Sequence, residues 1–160
     1  MACGMRTGLL RVNHMAFLKF SRRPIPVLPE HRSVYKISQI LLVLYFSRSQ
    51  KSSLLRLHLF NWAMKSSKRM ALLQEAARGG ELLLPTWGFD PALAIALRYA
   101  LAERLISQVS NGYQLTDQGK FFIGDALKDE DIFKNEREDI RSVGKLITET
   151  MVENVAKDWG

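Results

Sequence analysis

With 160 residues, 47% of them apolar, the chain has room for one principal domain with appendages and material for a core. A net charge of +7 suits anionic partners, either nucleic acid or an acidic protein surface, without choosing between them. Cys3 is the single cysteine, which excludes an intrachain disulfide, deprives a structural zinc site of its usual thiolates and points to a reducing, cytoplasmic setting.

Residues 1–32 are basic and punctuated by Pro24, Pro26 and Pro29, so they read as an arm whose backbone is pushed toward extended geometry. From Val34 to Ser47, apolar residues recur at three- and four-residue steps, with Ser33 available as a cap; this predicts a helix. Its apolar run, Ile40 to Phe46, is far shorter than the roughly 20 residues that cross a bilayer, so no membrane span is expected. The first residues likewise lack the uninterrupted apolar stretch of a secretory signal.

Arg48 to Ser52 lacks periodicity and reads as a linker. Ser53 can cap a second helix reaching about Lys65, on which His58, Asn61, Lys65 and Lys68 continue as one polar stripe expected to meet solvent. A third helix, Ser67 to Arg78, should end at Gly79 and Gly80. Leu82 to Thr86, interrupted by Pro85, is compatible with an edge strand. Asp90 followed by Pro91 is a strong helix start, and the fourth helix is expected to reach about Ile106.

Ile106–Val109 and Tyr113–Leu115 are short β-prone runs around Ser110, Asn111 and Gly112, a hairpin signal. Thr116 can cap a helix over Asp117–Leu127, with Phe121 and Phe122 expected to turn inward. After the charged stretch Asp129–Asp139, the steps Ile140, Val143, Ile147, Met151 and Val155 predict a C-terminal helix. The fold class that follows is mainly α with a small β-hairpin: a winged helix-turn-helix core over residues 33–127, a basic arm over 1–32 and a helical extension over 128–160.

Chemistry finds little to work with. His14, His31 and His58 stand at no metal-ligand spacing, and neither a phosphate-binding glycine loop nor a nucleophile elbow is present. Asp125, Asp129 and Asp131 lack the glycine and terminal glutamate of a calcium loop and read as a solvated face. No enzymatic activity, metal or cofactor is expected.

Binding is the remaining theme. In winged helices the helix before the wing often enters the major groove, but here its polar residues before Ser107 are only Arg98, Tyr99, Glu103 and Arg104. So apolar a helix favours protein contact over base reading, with Leu93, Leu97, Arg98, Leu101, Arg104 and Tyr113 the expected docking residues. Residues 1–78 hold 14 Lys/Arg against 2 Asp/Glu, whereas residues 79–160 hold 9 against 14. Sequence-independent phosphate contact is therefore assigned to Arg22 and Arg23 in the arm, Arg48 and Lys51 in the linker, and Lys65, Lys68 and Arg69 further on, although ordinary surface charge explains each alone.

The segment GYQLTDQGKFFI, Gly112 to Ile123, resembles the Y-x-L-T-x-x-G pattern at the wing of many bacterial winged-helix proteins, including PadR-type and MarR-type regulators. More widely, RPIPVLPEHRSVYKISQILLVLYF, SSLLRLHLFNWAM and FDPALAIALRYALAERLI, together with the wing, resemble the small middle components of bacterial ABC three-component systems, including the middle subunit of Lamassu antiphage systems; the likeness spans about Arg23 to Ile123. It implies an accessory subunit bound to an SMC-like or ABC-type coiled-coil ATPase and bridging it to an effector such as a nuclease, with the ATP chemistry residing in the partner. The alternative is a DNA-binding transcriptional regulator, a dimer that pairs through its C-terminal helix and reads DNA with the helix before the wing.

Overall fold

Five consecutive side chains, Ile40 to Leu44, are buried in helix α1 (Ser33–Tyr45), because other elements enclose this helix on several sides. In the computed structural model, which describes residues 32–84 and 86–160, α1 packs against α4 (Pro91–Ala102) and α5 (Asp117–Ala126), and also meets α2 (Leu54–Ala63) and α6 (Lys134–Val143). Helix α3 (Ser67–Gly79) lies against α2 and α6, and α7 (Glu149–Ala156) ends the helical set. The architecture is mainly helical with one small antiparallel sheet. Of the arm expected over residues 1–32, all but Arg32, and with it Arg22 and Arg23, lies outside the described residues.

Local rules set several boundaries. The Ser53 hydroxyl accepts from the Arg56 N–H, the Asp90 carboxylate from the Ala92 N–H, and the Thr116 hydroxyl from the Gly119 N–H, so α2, α4 and α5 begin where capping side chains satisfy otherwise unpaired donors. The sheet contains β1 (Lys51–Ser52), β2 (Ile106–Val109) and β3 (Gly112–Leu115) in the order β1-β3-β2. Ile106 pairs with Leu115 and Val109 with Gly112 across the hairpin, while Lys51 and Ser52 pair with Gln114 and Tyr113.

The glycine at the start of α5 has a specific task. A Cβ on Gly119 would fall on the carbonyl oxygen of Leu105, so the helix can seat against the strand entry only without a side chain there. The same segment is tied by the Thr116 hydroxyl, which donates to the Arg104 carbonyl at 2.7 Å, and by the Thr116 N–H, which donates to the Leu105 carbonyl at 3.2 Å.

Several sequence expectations are corrected. The linker Arg48–Ser52 is ordered: a tight turn with Ser49 and Gln50 at φ 55° delivers Lys51 and Ser52 into the sheet. Helix α4 stops at Ala102 and not near Ile106, because Arg104 takes a left-handed φ of 59° that swings Leu105 and Ile106 into the core, Ile106 opening β2. No strand forms among the described residues of 82–86. Leu82 and Leu84 are buried there, as is Trp87 just beyond, whose indole donates to the Leu55 carbonyl at 3.2 Å.

Phe121 and Phe122 point outward, since Gly119 and Ile123, one turn apart, take the inner face of α5. The expected single C-terminal helix is two, α6 and α7, separated by Gly144–Thr148. Ile140, Val143, Ile147, Val152 and Val155 join the same buried core as α1, and Trp159 packs edge-on to Trp87 at 4.7 Å. The extension over 128–160 is thus part of the fold's interior as well as its periphery.

Candidate docking face and basic cleft

Helix α4 sorts its residues into two rows. Leu93, Ala96, Leu97 and Ala100 face α1 and are buried, whereas Ala94, Ile95, Arg98, Tyr99 and Ala102 follow the three- and four-residue spacing of the outer face and are exposed. Ile95 and Tyr99 leave 42% and 54% of their surface open. The expectation that Leu93 and Leu97 dock a partner is therefore corrected: at 2% and 3% exposure they belong to the chain's own core, and Ile95 and Tyr99 occupy the outward positions instead. Arg98 and Arg104 are exposed; Leu101 and Tyr113 are half-buried.

The start of α4 rests on a polar cluster. Asp90 accepts from Lys65 at 2.9 Å and from the Asn61 amide at 3.1 Å, Lys36 donates to the Asn61 carbonyl at 2.7 Å, and the Asp90 N–H donates to His58 Nδ1 at 3.2 Å. His58 and Asn61, expected at the surface, are each only 3% exposed; they face Lys36 and the α4 cap, which supply the partners that burial demands. Burial lowers the His58 pKa below its ordinary value, opposed by the Asp90 carboxylate and reinforced by Lys65. Partial burial works against ionisation of Asp90, but the hydrogen bonds from Lys65, Asn61 and the Ala92 N–H outweigh it and hold the carboxyl at about 2.

The second feature is a cleft of about 540 Å³ between β1, the hairpin tip and the turn joining α6 to α7. Arg48, Lys51 and Lys145 stand exposed around it, with Arg56 buried behind them. Arg48 Nε donates to the Lys145 carbonyl at 3.0 Å, which binds the two rims together. Glu149 is the one carboxylate of the lining, and it accepts from the Ser53 N–H and hydroxyl at 2.9 and 2.8 Å.

Of the basic residues singled out in the sequence, Arg48 and Lys51 are thus brought together. Lys65, Lys68 and Arg69 form a separate group at the α2–α3 junction, where Lys65 pairs with Asp90 and Arg69 lies over the Trp62 ring at 4.9 Å. Lys145 went unnoticed because it sits in the acidic half of the chain, and only folding carries it to Arg48. Among the described residues no group of three or more His, Cys, Asp or Glu is gathered as a metal site would require, and no helix is long and apolar enough to cross a membrane. Comparison with known proteins finds no family model, no curated protein and no solved structure that matches the chain.

Proposed function

We propose that the chain is a non-catalytic accessory subunit with a winged-helix core, which docks through the outward face of α4 onto an SMC-like, ABC-type ATPase and links it to an effector such as a nuclease in an antiviral or anti-plasmid complex. The winged-helix reading draws support from the element order, with α4 directly preceding the β2–β3 hairpin, and from the strand order β1-β3-β2. The carrying observation for docking is the exposed row Ala94, Ile95, Tyr99 and Ala102 with Arg98 as the one charged residue of α4. An aromatic and an aliphatic side chain flanked by alanines, with one arginine, form an interface composition rather than a base-reading one. That the partner is an ATPase rests on the likeness to the middle components of three-component systems, and cytoplasmic residence follows from that partner.

The regulator reading draws less support, since a groove-reading α4 would present Arg98 and Tyr99 as its only polar side chains. Co-purification with an SMC-like, ABC-type ATPase tests the proposal. Wild-type chain is expected to co-elute and an Ile95→Asp, Tyr99→Asp variant to elute alone, whereas a sequence-specific footprint on DNA by the isolated chain would favour the regulator.

A further inference from the structure

We propose that the cleft between β1, the hairpin tip and the α6–α7 turn is a binding site for the phosphodiester backbone of double-stranded DNA, engaged without regard to sequence. It takes up the sequence-independent phosphate contact expected of Arg48 and Lys51, goes beyond the docking role proposed above, and needs nothing of the ATPase.

Convergence of charge carries the inference. Arg48 and Lys51 come from the basic half of the chain and Lys145 from the acidic half, 97 positions from Arg48, yet they line one concavity. Like charges gathered in a concave surface repel one another and focus a positive potential into it, an arrangement that an anion relieves. The protein supplies one carboxylate there against the four cations Arg48, Lys51, Arg56 and Lys145: Glu149, held in place by hydrogen bonds from Ser53 and offsetting part of the charge of Arg56. The Arg56 guanidinium adds positive charge behind the cleft while its donors are spent on Gly144, Ile147, Ser47 and Ser52. Arg56 is therefore a positioning residue that holds the turn bearing Lys145.

The lining also selects the kind of anion. Ser110, Asn111 and Thr150 add short polar side chains suited to phosphate oxygens, and no aromatic ring is present on which a base could stack. Single-stranded nucleic acid and free nucleotides are commonly held through such stacking. A duplex, with its bases turned inward and a regular row of phosphates outside, needs only cations and hydrogen-bond donors. The site is also placed to act alongside docking: β1 is one edge of the sheet and β2, which meets α4, is the other.

Fluorescence anisotropy of the full chain with a labelled random-sequence duplex, across about 50–200 mM salt, tests the site. Lys51→Glu with Lys145→Glu is expected to weaken binding at least about tenfold at the lower salt and to reduce the slope of log affinity against log salt by about 2. Lys120→Glu with Lys128→Glu makes the same change in net charge on α5 and beyond its end, and is expected to leave affinity within about twofold. Should the glutamate pair at the cleft fail to fold, as judged by circular dichroism, Lys51→Gln with Lys145→Gln is expected to show the same slope change. Equal loss from both glutamate pairs, unchanged binding in the cleft variants, or tighter binding to single-stranded DNA or duplex RNA of the same sequence would each overturn the proposal. Co-elution of the cleft variants with the ATPase is expected to persist, so failure here and failure of docking are read separately.

Discussion

Arg56 Nε donates to the carbonyl oxygen of Ile147 at 2.7 Å, joining α2 to the turn before α7 across 91 positions of sequence. Its Nη2 donates to the Gly144 carbonyl, its Nη1 to the hydroxyls of Ser47 and Ser52, and its guanidinium lies over the Phe60 ring at 4.7 Å. Burial lowers its pKa to about 10, with Glu149 opposing, so it remains charged at neutral pH. Arg56→Ala leaves buried carbonyls without donors and is expected to cost about 3 kcal/mol or more in urea unfolding. Arg56→Lys recovers little of this, because one ammonium cannot reproduce the planar fork. A loss below about 1 kcal/mol for the alanine variant would contradict the pinning role.

Gly119→Ala pushes a methyl group into the Leu105 carbonyl, and the helix must move away from the strand entry. A loss of about 2–3 kcal/mol is expected from thermal unfolding. Gly124→Ala on the same helix, where an added Cβ meets nothing within 4 Å, is the matched control and is expected to be neutral or stabilising. Equal effects from the two substitutions would remove the close approach as the reason for Gly119.

Stability is expected to respond to pH in two windows. His58 has its pKa lowered on folding, so the unfolded chain binds the proton more readily, and stability falls as pH drops through the ordinary histidine value of 6.5. The Asp90 carboxyl is held at about 2 against an ordinary 3.8; its contribution is complete above the ordinary value and is lost as pH falls toward 2. His58→Asn retains an acceptor for the Asp90 N–H but cannot titrate, and is expected to flatten the loss between pH 7 and about pH 5 while leaving the steeper fall below about pH 4. An unchanged upper window in unfolding midpoints against pH would exclude His58 as its source.

Features written in local chemistry were legible in the sequence. Asp90-Pro91 and the Thr116 cap depend on residues one to three positions away, and the hairpin around Asn111 and Gly112 is equally local, so α4, α5 and the β2–β3 pair stood out. His58 and Asn61 misled because their partners are distant: Lys36 lies 25 positions before Asn61, and Asp90 lies 29 beyond Asn61 and 32 beyond His58. A helix as apolar as α4 offers several faces that could be inner, and the packing of α1 decides that Leu93 and Leu97 are covered while Ile95 and Tyr99 are open. Charge counted along the chain concealed Lys145 for the same reason, since its neighbours at the cleft belong to the other half.

The docking role proposed for α4 is tested most directly by size-exclusion chromatography of the chain co-expressed with an SMC-like, ABC-type ATPase. The wild-type chain is expected to elute in a complex, and Ile95→Asp with Tyr99→Asp, both at exposed positions, is expected to leave a folded chain that elutes alone. A folded variant that still travels with the ATPase, or a wild-type chain that never does, would contradict the account.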